Sequence, residues 1–277
     1  MKSETEIRKQ IMAAADAARR TNPLAGSITN SVTINFVANA QLAVGGSAAM
    51  VYLAEEGEFL ARAGGAFYIN VGTIIPLYGE SLPHTAKVLH EKGRPWVLDP
   101  VAVGIGTLRT ELLKRFKPYK PAVIRGNASE IMSLAGLWEL EGSGDAKVRG
   151  VDSTAEVGAA SAAAAALAKW TGGAVAVSGE RDLVTDGRIA ALSPGGSHFL
   201  TKITGAGCSL GGVAAVYAAV ACPFIAALTA TAVYNLAGQR AERKADGPGT
   251  FQAAFLDELY KATPEDIAGH PFELRSF

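Results

Sequence analysis

Apolar and polar positions along the chain follow two periods. Ile7, Ile11, Met12 and Ala15 recur at helical spacing among charged neighbours, which predicts an amphipathic first helix. From residue 66 onward, short apolar runs alternate with helical stretches. A strand is expected over 66–71, ending at Gly72, then a helix over about 77–92. The next strand runs over 95–98 and is closed by Asp99-Pro100, followed by a helix near 107–116. Ala122-Val123-Ile124 forms a further strand leading into Arg125-Gly126-Asn127, and Asn127 or Ser129 caps a helix reaching about Ala135. Residues 139–151 read as a surface loop, 153–170 as an alanine-rich helix and 174–178 as a strand. Leu183-Val184-Thr185 and residues 188–192, joined by Asp186-Gly187, read as a hairpin. The remainder is helical over about 206–221, 223–244 and 250–263. Alternating buried strands and helices predict an α/β fold: a mostly parallel sheet flanked by helices on both faces. No repeat or linker divides the chain, so residues 1–277 are read as one domain.

Composition narrows the classes. Of 277 residues, 49% are hydrophobic and 19% charged, which excludes disorder. Lys+Arg and Asp+Glu number 26 each, so the chain lacks the basic excess of a nucleic-acid binder. Residues 21–54 and 203–239 carry no charge. Asparagines, Gly45-Gly46, four glycines near 205–212 and Pro223 break both stretches into pieces shorter than the ~20 apolar residues of a membrane span, so no membrane role is expected. The charged amino-terminal segment has no export signal, and two cysteines, Cys208 and Cys222, make neither a disulfide framework nor a zinc site. A cytoplasmic protein is expected.

In an open α/β sheet, ligands sit beyond the carboxyl ends of the strands. Asn70, Gly72, Asp99, Arg125, Asn127 and Ser178 fall there. Asp99 reads either as a carboxylate near a metal-bound phosphate or as a turn residue before proline. Arg125 suits phosphate oxygens. Glu130, one turn into the following helix, reads as a Mg²⁺ holder acting through water or as an acidic residue favoured at a helix start. The most informative segment is Thr204-Gly205-Ala206-Gly207-Cys208-Ser209-Leu210-Gly211-Gly212. Glycines opening a long apolar helix let backbone N–H groups approach an anion. Leu210 takes the third glycine position of a dinucleotide fingerprint, and no Lys-Ser or Lys-Thr follows as in a P-loop. That pattern points to phosphoryl transfer without a Walker motif. Cys208 reads as a thiol activated at a helix N-terminus or as a small buried hydrophobe; Cys222 reads as the latter.

These residues together resemble the hydroxyethylthiazole kinase family of the ribokinase-like superfamily. The matches run in order: Ile28-Thr29-Asn30, Asn35-Phe36, Ala38-Asn39, Gly45-Gly46-Ser47-Ala48-Ala49-Met50, Asp99-Pro100-Val101-Ala102-Val103-Gly104, Ile124-Arg125-Gly126-Asn127-Ala128-Ser129-Glu130, Ser178-Gly179-Glu180 and Thr204-Gly205-Ala206-Gly207-Cys208. The resemblance implies a ribokinase-like fold and ATP-dependent phosphorylation of the alcohol of 4-methyl-5-(2-hydroxyethyl)thiazole in thiamine biosynthesis or salvage. On matching positions, Met50 and Gly205 would contact the thiazole, Arg125 and Ser178 would bind ATP, and Asp99 and Glu130 would organise Mg²⁺. Gly205, Ala206, Gly207 and Cys208 would form the anion hole, with Cys208 at the catalytic position where related sugar kinases carry Asp. It further implies a homotrimer with active sites between subunits. Two departures stand out. Gly26-Ser27 replaces the family's His-Cys, a change expected to bear on the substrate pocket, and Ala206 stands where Thr is common. The alternatives are another ribokinase-like kinase acting on a pyrimidine or sugar alcohol, an ATP-dependent repair enzyme of related fold, and a non-catalytic binding protein. Cys208 counts against another kinase or a repair enzyme; the retention of Asp99, Arg125 and Glu130 counts against a non-catalytic protein.

Overall fold

A computed structural model of the chain describes residues 3–141 and 153–277. The expected loop over 139–151 therefore lies, from residue 142 on, outside the described residues. The first helix, α1 (Glu4–Thr21), is capped by the Ser3 side chain, which accepts from the Glu6 N–H at 3.2 Å. Its buried stripe is Ile7, Ile11, Ala14, Ala15 and Ala18. Met12, expected on that face, is 37% exposed, because one step from Ile11 turns about 100° around the helix.

The next elements are β1 (Leu24–Ile28), α2 (Ile34–Ala43), β2 (Ser47–Met50) and α3 (Ala54–Ala63). They are followed by β3 (Ala66–Asn70), α4 (Tyr78–Glu91), β4 (Trp96–Asp99), α5 (Thr107–Phe116), β5 (Val123–Asn127) and α6 (Ala128–Leu137). After α7 (Ser153–Thr171) come β6 (Ala174–Ser178), β7 (Arg181–Thr185) and β8 (Ile189–Pro194). The chain closes with α8 (Ala206–Ala218), α9 (Pro223–Glu242), α10 (Pro248–Lys261), α11 (Pro264–Gly269) and β9 (Glu273–Ser276). The strands form one sheet in the order β2-β1-β3-β4-β5-β6-β7-β8-β9. Pairing is parallel from β2 through β6 and antiparallel from there to β9.

Helices cover both faces, as the pattern predicts. Ala25, Ala66, Tyr68, Val97, Val123 and Ala176 pack with α1, α2 and α8 to α11 on one side. Ile28, Phe67, Ile69, Leu98, Ile124 and Val175 pack with α3 to α7 on the other. The period of two residues that divides each strand between these cores also decides which polar residues share a face.

Several boundaries differ from expectation. Asp99 is the last residue of β4 rather than the first beyond it, and Arg125, Gly126 and Asn127 belong to β5. The sequence pattern did not single out β1, α2, β2, α3, α11 or β9. Leu-Ala-Gly-Ser-Ile and Ser-Ala-Ala-Met are small-residue strands with no apolar alternation. The helix expected over 206–221 stops at Ala218, and Cys222 is the exposed N-cap of α9. Its reading as a buried hydrophobe is thus corrected: Pro223 starts a new helix there and leaves Cys222 outside both.

Candidate active site

Residues two apart on a strand face the same way, so Tyr68 and Asn70 on β3, Asp99 on β4, Arg125 on β5 and Ser178 on β6 share the face covered by α8. Asn70 pairs in register with Asp99, and Asn127 with Ser178, which levels these residues at the carboxyl ends of the strands.

The start of α8 closes over them. Gly205 is its N-cap with φ +86°, a left-handed conformation that favours glycine. The Ser209 N–H donates to Gly205 O at 2.8 Å, and the Tyr234 hydroxyl donates to Ala206 O, which fixes the first turn. Backbone N–H groups of a first turn have no intrahelical acceptor and carry the positive end of the dipole. The four glycines of this segment divide their work. A Cβ on Gly207 would meet Arg125 Cζ at 2.7 Å, so the guanidinium lies across this turn. A Cβ on Gly211 would meet Tyr68 Cζ at 2.8 Å, and one on Gly212 would meet Val37 Cγ1 at 2.7 Å. The second pair lets α8 approach β3 and α2.

Arg125 and Asp99 are buried and form a long ion pair, Nη1 to Oδ2 at 3.5 Å. Arg125 Nη2 donates to Ser178 Oγ at 3.2 Å, and its Nε is buried with no partner. Burial disfavours the guanidinium charge, but Asp99 and Glu130 overcome this and hold its pKa above the ordinary value. Asp99 Oδ2 accepts from the Tyr68 hydroxyl at 2.8 Å and Asn70 Nδ2 at 2.9 Å. Burial nevertheless pushes the Asp99 carboxyl up to about 6, with Glu130 adding to the rise and Arg125 opposing it. Glu130 does cap its helix: Oε2 accepts from the Asn127 N–H at 2.9 Å, and Asn127 Oδ1 accepts from the Glu130 N–H at 2.9 Å. Its other oxygen reaches back to the Ala102 N–H at 3.2 Å, tying α6 to the loop after β4, where Ala102 has φ +58°.

Cys208 is partly buried in the first turn of α8. Its thiol is pushed up by burial, with Asp99 adding, against smaller pulls from the Thr33 hydroxyl, Arg125 and Asn30. Of its two readings, the raised thiol supports the small, largely buried side chain over one activated at a helix start. Asn30 and Asn70 both donate to its sulfur, at 3.4 and 3.3 Å. Asp99, Arg125, Ser178, Gly207 and Cys208 are thus brought together with Glu130 beside them. Met50 ends β2, on the far side of β1 and β3 from β4, and stands outside this hydrogen-bonded cluster.

Gly26, in register with Phe67, faces away from the cluster, whereas Ser27, in register with Tyr68, lies on the cluster's face of the sheet. A Cβ on Gly26 would meet Phe67 Cε2 at 2.6 Å, while Ser27 Oγ accepts from Gln41 Nε2 at 3.1 Å. At Gly26 the space for a side chain is taken by Phe67 and Leu60, while Ser27 is held by Gln41. Sequence reasoning missed Tyr68, Asp182 and Asn235. Asp182 accepts from the Gly179 N–H at 2.9 Å and from Asn235 Nδ2 at 2.7 Å, which steadies the turn after Ser178. The available signals were Tyr68 two residues before Asn70, and a lone Asn in the part of α9 before Arg240, which carries no charge. A cavity of about 300 Å³ opens here, lined by Arg125, Ser178, Asp182, Gly207, Tyr234 and Asn235.

Comparison with known proteins agrees with this arrangement. Residues 16–265 match the model of the hydroxyethylthiazole kinase family. The chain is 53% identical to a hydroxyethylthiazole kinase of Bifidobacterium animalis, across 97% of this chain and 92% of that one. Its fold superposes on the hydroxyethylthiazole kinase structure of Pyrococcus horikoshii with TM-score 0.85 and 30% identity, covering 97% and 99% of the two chains. A ribokinase-like superfamily protein of Enterococcus faecalis matches with TM-score 0.61 over 94% and 95% of the chains; at 14% identity it speaks for the fold alone. With the glycine-opened α8, the Arg125–Asp99 pair and the cysteine between them on a ribokinase-like sheet, the chain belongs to the hydroxyethylthiazole kinase family.

Proposed function

We propose that this protein, as one kinase domain, transfers the γ-phosphoryl group of ATP to the hydroxyl of 4-methyl-5-(2-hydroxyethyl)thiazole, in thiamine biosynthesis or salvage. The observation that carries the reading is the meeting of the α8 first turn with Arg125, in a chain belonging to this kinase family. Phosphoryl transfer through a loose transition state relies on positioning and charge stabilisation more than on a strong base. Arg125 would take phosphate oxygens, its unpartnered Nε supplying a spare donor, with Ser178 holding the other arm of the fork. The backbone N–H groups of Ala206, Gly207 and Cys208, with Gly205 opening the helix, would receive the transferring phosphoryl oxygens. Met50 and Gly205 would bound the thiazole and leave its hydroxyl beside Cys208, the catalytic position.

The residues present suit Mg²⁺. Asp99 and Glu130 offer oxygen donors only, and the charge of Glu130 raises the Asp99 carboxyl, a repulsion that a divalent cation offsets. Among the described residues no group of three or more His, Cys, Asp or Glu side chains gathers as a metal cage, as befits an ion held partly by water and substrate phosphates. Asp99 and Glu130 would hold it, and when bound it would neutralise charge on the phosphates. In this reading Glu130 keeps its cap and shares its remaining lone pairs.

We place the protein in the cytoplasm as a homotrimer with active sites between subunits. Among the described residues no helix is long and apolar enough to cross a membrane. Elements around the edge strand β2 expose Val32, Leu42, Leu53 and, 68% exposed, Phe59, which supports a subunit contact there. The test is a coupled assay with Mg-ATP and the thiazole alcohol. Turnover is expected; no turnover, with rapid phosphorylation of a pyrimidine or sugar alcohol, overturns the assignment. Sedimentation analysis tests the trimer, and a monomer would remove that part.

A further inference from the structure

Packing alone does not set the place of Cys208. Its sulfur accepts from two side-chain amides on different segments, Asn70 Nδ2 at the end of β3 at 3.3 Å and Asn30 Nδ2 in the loop after β1 at 3.4 Å. The orientation of Asn70 is determined by its other end. Asn70 Oδ1 accepts from the Gly72 N–H at 2.8 Å, and a backbone N–H only donates. Asn30 Nδ2 donates to the same oxygen at 3.0 Å. Turning the Asn70 amide over would set two donors against its nitrogen, so Nδ2 has to face Cys208, Asp99 and Tyr68. Its two hydrogens serve three acceptors: one is shared between Tyr68 Oη and Asp99 Oδ2, both at 2.9 Å and themselves joined by the Tyr68 hydroxyl proton, and the other faces the Cys208 sulfur.

The arrangement is closed to repair by solvent. Asn70 is 0% exposed and Asn30 3% exposed. A Cβ on Gly72 would meet Asn70 Oδ1 at 2.9 Å and Asn30 Nδ2 at 3.0 Å, so the chain turns tightly over the pair. Two buried amide donors aimed at one atom call for an acceptor there, since an unpaired buried donor is costly. N–H donors also favour negative charge on the atom that receives them. Through Asn70, the same amide group binds the carboxylate ending β4 and the thiol opening α8.

We propose that Asn70 is a positioning residue for phosphoryl transfer. With Asn30 it forms a two-amide cradle that fixes an electron-pair acceptor at position 208 and locks it to Asp99, so that thiol and carboxylate keep one spacing across the mouth of the sheet. The inference rests on the kinase reading of this site for its catalytic consequence, and on the hydrogen bonds alone for the cradle.

The test compares the full-length protein with Asn70→Ser and with Asn30→Ser, the second serving where the first fails to fold. Two quantities are measured: steady-state kcat and KM for both substrates, and the rate of iodoacetamide alkylation at Cys208 relative to Cys222. The exposed Cys222 is an internal reference in the same molecule. Loss of one donor is expected to lower kcat about tenfold, leave KM within about threefold, and slow Cys208 alkylation relative to Cys222. A purely structural role would loosen the site and speed that alkylation. Faster or unchanged Cys208 alkylation, or an unchanged kcat, overturns the proposal. Absence of turnover in the unaltered protein, with Cys208 alkylation still slowed relative to Cys222 in the variants, removes the kinase reading and upholds the cradle.

Discussion

In the first turn of α8, Gly207 lies against the Arg125 guanidinium so closely that a Cβ there would stand 2.7 Å from Arg125 Cζ. The missing side chain is what lets the arginine cross the helix start between Asp99 and Ser178. Gly207→Ala is expected to fold and to push Arg125 aside. Loss of one well-placed charge-assisted contact corresponds to about tenfold or more in kcat/KM for ATP. Steady-state kinetics with a thermal melt check this; unchanged kinetics would mean that Arg125 is not needed at that spot.

The buried Asp99 carboxyl is raised to about 6 from an ordinary 3.8. A carboxyl raised on folding contributes stability that is fully present below the unfolded value and is lost as pH rises through the folded one. Relative to Asp99→Asn, the unaltered protein is therefore expected to gain about 2 kcal/mol of stability between about pH 7.5 and about pH 4. Activity runs the other way, falling as pH drops through about 6, because the carboxylate form is the one proposed to work with Mg²⁺. Urea unfolding of both proteins across this range measures the first effect. A pH-independent difference would contradict it.

Two amide donors already face position 208. A carboxylate accepts such donors more strongly than sulfur does. Cys208→Asp is accordingly expected to retain or raise kcat, whereas Cys208→Val, which leaves both donors unpaired, should lose it by about a hundredfold. A well-folded but inactive Cys208→Asp protein would assign Cys208 to packing.

Gly26 lies against Phe67, and a Cβ would come within 2.6 Å of that ring and 3.2 Å of Leu60 Cβ. Overpacking of this kind costs about 1–3 kcal/mol. Gly26→Ala should lower stability by that amount while leaving KM for the thiazole unchanged, and Phe67→Leu should restore part of it. A changed KM with unchanged stability would return Gly26 to the substrate pocket.

Much of the site was legible as strand-to-helix punctuation. Asp99, Arg125, Glu130 and the glycine-opened α8 all occupy the ends of elements that hydrophobic periodicity marks out. What escaped was β1, β2 and β9, the helices α2, α3 and α11, and the partners of the motif residues. Strands such as Ser-Ala-Ala-Met carry no alternation because their burial comes from neighbours rather than from bulky side chains. Tyr68 reads as one more apolar position in β3, and only its hydroxyl contact with Asp99 reveals a second role.

By itself the sequence determined most helices and strands from residue 66 onward, which of their faces are buried, and where along the chain the candidate phosphate-binding segment lies. Periods of 2 and 3.6 residues encode those things locally. Only the tertiary structure decided that β1 sits between β2 and β3, and that Asn30 and Cys208, 178 positions apart, share a hydrogen bond. It also decided the state of that thiol. A helix start favours the charged form, while the burial that comes with packing α8 against β3 pushes the thiol up. A hydrophobic pattern specifies that a face must be covered and leaves open what will cover it.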